Sequence, residues 1–134
     1  MVLFASEPPY SNLEHVSEQM EMRVVYANFA ENKPPGYFGI TPLFVKNSMQ
    51  GRFNDTVILA MGCESLKQDT MAEAFIKKGA KAYISWNGSV SACCTDQATA
   101  SLLLHLTTEK QTLEKAVKET MNEVKAQTQQ TRAY

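Results

Sequence analysis

Thr56-Val57-Ile58-Leu59-Ala60-Met61-Gly62-Cys63-Glu64-Ser65, then Thr70-Met71-Ala72-Glu73-Ala74-Phe75-Ile76-Lys77-Lys78-Gly79, then Ala82-Tyr83-Ile84-Ser85-Trp86, follow one another in the order strand, helix, strand. Its first run is apolar almost without interruption and β-branched at Val57 and Ile58. That is the pattern of a central parallel strand covered on both faces, whereas a half-exposed strand alternates. Thr70 and Glu73 have the spacing of a capping box at a helix start, and Gly79 suits the helix end. Met71 and Phe75 share one helix face, while Glu73 and Lys77 form an i,i+4 ion pair on the other, worth about 0.3 kcal/mol. Ala82–Trp86 reads as the next strand, so residues 57–86 make one βαβ unit with a right-handed crossover.

Upstream, Val2–Ala5 reads as a short strand ended by the Ser6-Glu7-Pro8-Pro9 turn. Leu13, Val16 and Met20 have helical spacing within Asn12–Met22, whereas Arg23-Val24-Val25-Tyr26 is strand-like. Asn32-Lys33-Pro34-Pro35-Gly36 interrupts regular structure and is the expected exposed, cleavable loop. Thr41-Pro42 fits a capped helix start with Leu43, Phe44 and Val45 inward, and Gly51 stops that helix. Downstream, a helix is expected from about Thr95 to Thr107 with Ala98, Leu102 and Leu106 in register. A second carries Leu113, Ala116, Val117, Met121 and Val124 on one stripe. The polar segment Gln127–Tyr134 is expected to fray. The expected organisation is a single α/β domain over residues 1–126 with a polar tail, 127–134.

Composition narrows the function classes. The chain has 134 residues, 13 basic against 14 acidic side chains and a net charge of -1, so no general field draws it to nucleic acid. Its longest apolar run, residues 57–62, falls far short of the roughly 20 residues of a membrane helix. The opening Met-Val-Leu-Phe-Ala has no basic region before it, which argues against a signal peptide and for a cytoplasmic location. Cys63, Cys93 and Cys94 are an odd number, no C-x-x-C pair occurs, and His15 and His105 are the two histidines. Reduced thiols and no metal are therefore expected. Neither Gly-x-x-x-x-Gly-Lys nor Gly-x-Gly-x-x-Gly is present, so no cofactor is expected. Lys77, Lys78 and Lys81 at a helix end, and Asp96 at a helix start, are accounted for by helix dipoles. His105 reads as a partly buried or surface residue within its helix.

Cys63 stands out by position. In an open α/β sheet, reactive groups gather beyond the carboxyl ends of the parallel strands, and Cys63 follows such a strand through Gly62. Amides of a tight strand-to-helix turn lower a thiol pKa and hold an oxyanion. The plainer alternative is a small buried hydrophobe.

Val57–Ser65 followed by Met71–Trp86 resembles the nucleophile strand and following βα unit of caspase-like cysteine peptidases, nearest to gingipain-type and CHAT-type domains and their archaeal relatives. Thr95-Asp96-Gln97-Ala98-Thr99 and Thr112–Val117 are similar to the two later helices of such domains. The likeness covers residues 53–125 well and 1–52 loosely. It implies a three-layer α/β/α domain with a mostly parallel sheet, here lacking the first strands. It also implies a hydrolase acting by acyl transfer on a peptide or protein, a cysteine endopeptidase with Cys63 as nucleophile. His15 lies 48 residues upstream of Cys63, near the spacing of about 50 in caspases, although Leu13-Glu14-His15-Val16-Ser17 departs from the family motif. The departure leaves three readings: a carboxyl part of the family domain, a degenerate relative, or a compact form that recruits His15. Trp86, Asn87, Gly88 and Ser89 open the loop that lines the specificity pocket of such enzymes, and Trp86 equally suits a core position. The rival function is a non-enzymatic binding or self-assembling module that keeps the fold and forms homo-oligomers through an unpaired sheet edge.

Overall fold

In a computed structural model that describes residues 2–5, 9–28, 36–62 and 65–130, the chain forms two units, Met1–Asn87 and Gly88–Tyr134. The first unit is mixed α/β. Its elements are β1 (Leu3–Phe4), α1 (Val16–Met20), β2 (Val24–Ala27), β3 (Tyr37–Ile40), α2 (Pro42–Asn47), β4 (Val57–Leu59), α3 (Thr70–Lys77) and β5 (Ala82–Ile84). The second is helical, with α4 (Ala92–Leu103), a π-helical turn (Leu104–Thr108) and α5 (Leu113–Gln130).

The βαβ expectation holds at its centre. β4 and β5 pair in parallel, with Val57 opposite Ala82 and Leu59 opposite Ile84, and α3 connects them. Sheet content as a whole departs from a mostly parallel arrangement, because β1, β3 and β2 form a separate antiparallel sheet in that order. Residues 28–36 connect β2 to β3, and so short a connection permits antiparallel pairing, whereas a parallel pair needs a crossover of a dozen residues or more.

One core holds this unit. Val45, Met71, Ala74, Phe75 and Ala80 are buried together, and Leu3 and Ile40 from the antiparallel sheet and Ile58 and Tyr83 from the parallel pair pack against them. Phe75 joins the layers, stacking on Tyr83 at 5.8 Å between centroids and tilting against Phe53 at 5.5 Å. The Thr41-Pro42 start is as expected, with Thr41 Oγ1 accepting from the Leu43 amide at 3.2 Å.

Several boundaries differ. Asp69, rather than Thr70, precedes the first turn of α3, and no side-chain cap forms there. Thr70 has already joined the helix, so the capping-box pairing does not arise. The parallel strands are three residues each and half-buried throughout, whereas continuous coverage was expected of β4. α4 starts three residues early, at Ala92, because Ser91 Oγ accepts from the Cys94 amide at 3.3 Å and caps it. α5 continues to Gln130, into the segment expected to fray. The Ser6–Pro8 part of the first turn, the Asn32–Pro35 loop and residues 131–134 lie outside the described residues.

Candidate functional site

The carboxyl ends of β4 and β5 are tied together by short polar contacts. Ser85 Oγ donates to the Ala60 carbonyl at 2.6 Å, the Leu66 amide donates to the Trp86 carbonyl at 2.8 Å, and the Ala60 amide donates to Ile84 O at 2.9 Å. Ser65, 3% exposed, donates its hydroxyl to Gly62 O at 2.8 Å. A Cβ on Gly62 would sit 2.6 Å from Ser65 Oγ. That hydroxyl is buried and already engaged, so glycine is the residue the turn accepts. Cys63 and Glu64, which the sequence places inside this turn, lie outside the described residues.

His15 is exposed at the start of α1 and takes left-handed backbone angles, φ 50° and ψ 36°. Its ring meets Phe38 edge to face at 5.0 Å, which seats it on the antiparallel sheet through β3. Trp86 and Asn87 close the first unit, Trp86 half-buried and Asn87 exposed, while Gly88 and Ser89 open the second. Cys93 is exposed and Cys94 half-buried in the first turn of α4, both as free thiols.

The chain matches no family model, no curated protein and no solved structure. The residues themselves therefore carry the functional reading. No helix among the described residues is long and apolar enough to cross a membrane.

The second unit holds a site that reading His105 as an isolated helix residue misses. His105 is 6% exposed within the π-helical turn. Its Nδ1 lies 2.8 Å from Glu109 Oε2 and 3.8 Å from Glu119 Oε2, and its Nε2 lies 3.1 Å from Glu123 Oε1. Gln111 Nε2 donates to Glu109 Oε2 at 2.7 Å and to Glu119 Oε2 at 2.6 Å, and the Ser101 hydroxyl donates to Glu123. Hydrogen bonding to Glu109 raises the His105 pKa above 6.5; burial opposes the rise, and the Glu109 charge and Glu123 reinforce it. Glu119 is held below the ordinary carboxylate value by the Gln111 bond first, then by Lys115 and His105, against desolvation. A sequence signal exists in the two i,i+4 pairs, His105 with Glu109 and Glu119 with Glu123, on helical segments joined by a short turn.

Among the described residues, His105, Glu109 and Glu119 are the one group with the donor set of a metal site, their ligand atoms lying within 4.8 Å of one another. N–H donors already occupy the space between these oxygens, from the Gln111 amide and the ring itself. A second charged feature is a cavity of about 330 Å³ lined by Lys46, Arg52, Lys77 and Lys78. Lys78 Nζ donates to Met49 O at 2.8 Å, and Lys77 lies 3.9 Å from Glu73. Lys46 and Lys77 stand in the last turns of α2 and α3, where helix carbonyls favour cations.

Proposed function

We propose that the first unit is a caspase-like, cysteine-peptidase-type domain in which Cys63 attacks a peptide carbonyl. The observation that supports this most directly is the parallel β4–α3–β5 unit, with Ser65 hydrogen-bonded to Gly62 O beyond the end of β4. Reactive groups of open α/β sheets are presented from that position. The thiolate adds to the carbonyl carbon, main-chain amides of the turn hold the oxyanion, and the C–N bond breaks as the amine takes a proton from an imidazolium. Water then hydrolyses the thioester and restores the thiol. His15, the sole histidine in residues 1–87, takes the role of base. Trp86 and Asn87, which close this unit, take the role of substrate-binding residues, and the substrate class is a peptide or protein.

Alkylation by iodoacetamide near neutral pH tests the thiol. Cys63 should react at least about tenfold faster than Cys93, as expected for a thiol whose pKa is lowered by one unit or more from about 8.5. Cys63→Ala should abolish cleavage of a peptide library, and His15→Ala should do the same. Equal labelling of the three cysteines would sink the proposal.

A second reading, a self-assembling module, has its own support. Among the described residues β4 and β5 pair with each other and with no third strand, and all six of their residues are half-buried. Parallel strands are ordinarily covered on both faces, and two-stranded sheets are marginal alone. Strand addition by a second copy would extend the pair. Sedimentation velocity at micromolar concentration should then show a dimer or larger species, and a clean monomer removes this reading.

A further inference from the structure

The chemistry of the His105 cluster is that of a proton site. A neutral imidazole has one N–H and one lone pair, so it satisfies one carboxylate and turns its lone pair on any second. His105 has a carboxylate oxygen at each nitrogen, Glu109 at 2.8 Å and Glu123 at 3.1 Å. Both contacts are attractive together only for the imidazolium, which donates from both nitrogens. The two acceptors come from different parts of the hairpin. Glu109 follows the π-helical turn that carries His105, whereas Glu123 stands on α5.

We propose that His105 is a proton-operated clasp of the second unit: as imidazolium it bridges the π-helical turn to α5, and on losing its proton it releases one of its two carboxylates. Among the described residues, the charged groups facing it within this unit are Glu109 beside the turn and Glu119 and Glu123 on α5. Lys115 approaches Glu119 at 3.7 Å on the outer side. The surrounding hairpin makes the clasp matter. Among the described residues its other buried side chains are Thr95, Ala98, Leu102, Ala116 and Thr120, small or polar apart from the leucine, while Leu106, Leu113, Val117, Met121 and Val124 are half-buried, so the fully buried apolar part of the hairpin is small. Ser101 helps hold the far end, with its Oγ 3.3 Å from Thr120 Oγ1 and bonded to Glu123.

The sign follows from the raised folded-state pKa. The contribution is fully present below the unfolded-state value of about 6.5 and is lost as pH rises through the folded value. Between the two values, opening of the hairpin should become up to about tenfold easier per pH unit, beyond the ordinary base dependence of amide exchange.

The experiment is an NMR titration of the ring nitrogens of His15 and His105 in the full chain, with hydrogen exchange of α5 amides across the same pH range. His105 should carry protons on both nitrogens at pH 6.5 and titrate above that value, and α5 protection should fall in step. Glu123→Gln should shift the His105 midpoint down towards 6.5, and His105→Gln should make α5 protection independent of pH in this window. If either variant fails to fold, the wild-type titration still decides. A single neutral tautomer at pH 6.5, or α5 protection that ignores the titration, overturns the proposal. So does a saturable shift of the His105 resonances on adding Zn²⁺ alone, which would assign the cluster to a metal.

Discussion

Phe75→Ala is expected to destabilise the first unit by about 3–5 kcal/mol. Phe75 is 7% exposed and touches both sides of its layer, Phe53 on one and Tyr83 on the other. Its removal opens a cavity where α3 meets the parallel pair. The walls of that cavity cannot close, because Tyr83 is fixed in β5 and Phe53 is tied through its amide to Lys78 O at 2.9 Å. Against a total of about 5–15 kcal/mol for an ordinary domain, such a loss brings the unit near its unfolding threshold. Trp86, the sole tryptophan, reports on this unit by fluorescence in a urea titration. A loss under about 1 kcal/mol would show that the aromatic layer is not its core.

Gly79→Ala should come next in size. Gly79 has φ 98°, and a Cβ there would lie 2.5 Å from the carbonyl oxygen of Phe53. The backbone strain alone costs about 1–3 kcal/mol. The clash adds to it, since the Phe53 backbone cannot retreat without stretching its own bond to Lys78. Gly51 provides the internal comparison. Its φ of 76° is also left-handed, yet a Cβ there meets nothing within 4 Å. Urea midpoints should therefore fall further for Gly79→Ala than for Gly51→Ala, and the difference measures the steric contribution. Equal midpoints would mean that the strand entry at Phe53 yields freely.

Both positions belong to the part of the fold that the sequence itself makes plain. The run from Val57, the Met71/Phe75 face and the Gly79 stop announced the strand–helix–strand unit, because burial periodicity and helix termination are local signals. The antiparallel sheet was half visible: Val24–Tyr26 reads as a strand, whereas Tyr37-Phe38-Gly39-Ile40 carries a glycine and no alternation. Its strand character comes from pairing with β2 on one side and β1 on the other. The capping box failed for a related reason. Thr70 and Glu73 have the spacing, but hydrogen bonding starts at Asp69, whose carbonyl accepts from the Glu73 amide. His105 was hidden because its partners at positions 119 and 123 lie beyond a turn. Helical periodicity relates residues within one helix, and the contact belongs to two.

The contrast between the two units reaches into how the chain folds. In the second, contacts link helical segments adjacent in sequence, so little loop-closure entropy precedes the first stabilising encounter. Helical hairpins of this kind close in microseconds to milliseconds. The first unit must bring Leu3 beside Ile40 and Val57 beside Ala82 before its core is shared. Pairings of such span place mixed α/β topologies later on the same scale. When the full chain refolds, the carboxyl-terminal hairpin can therefore be shut while the β4–β5 ladder, and the cysteine turn beyond it, is still being assembled.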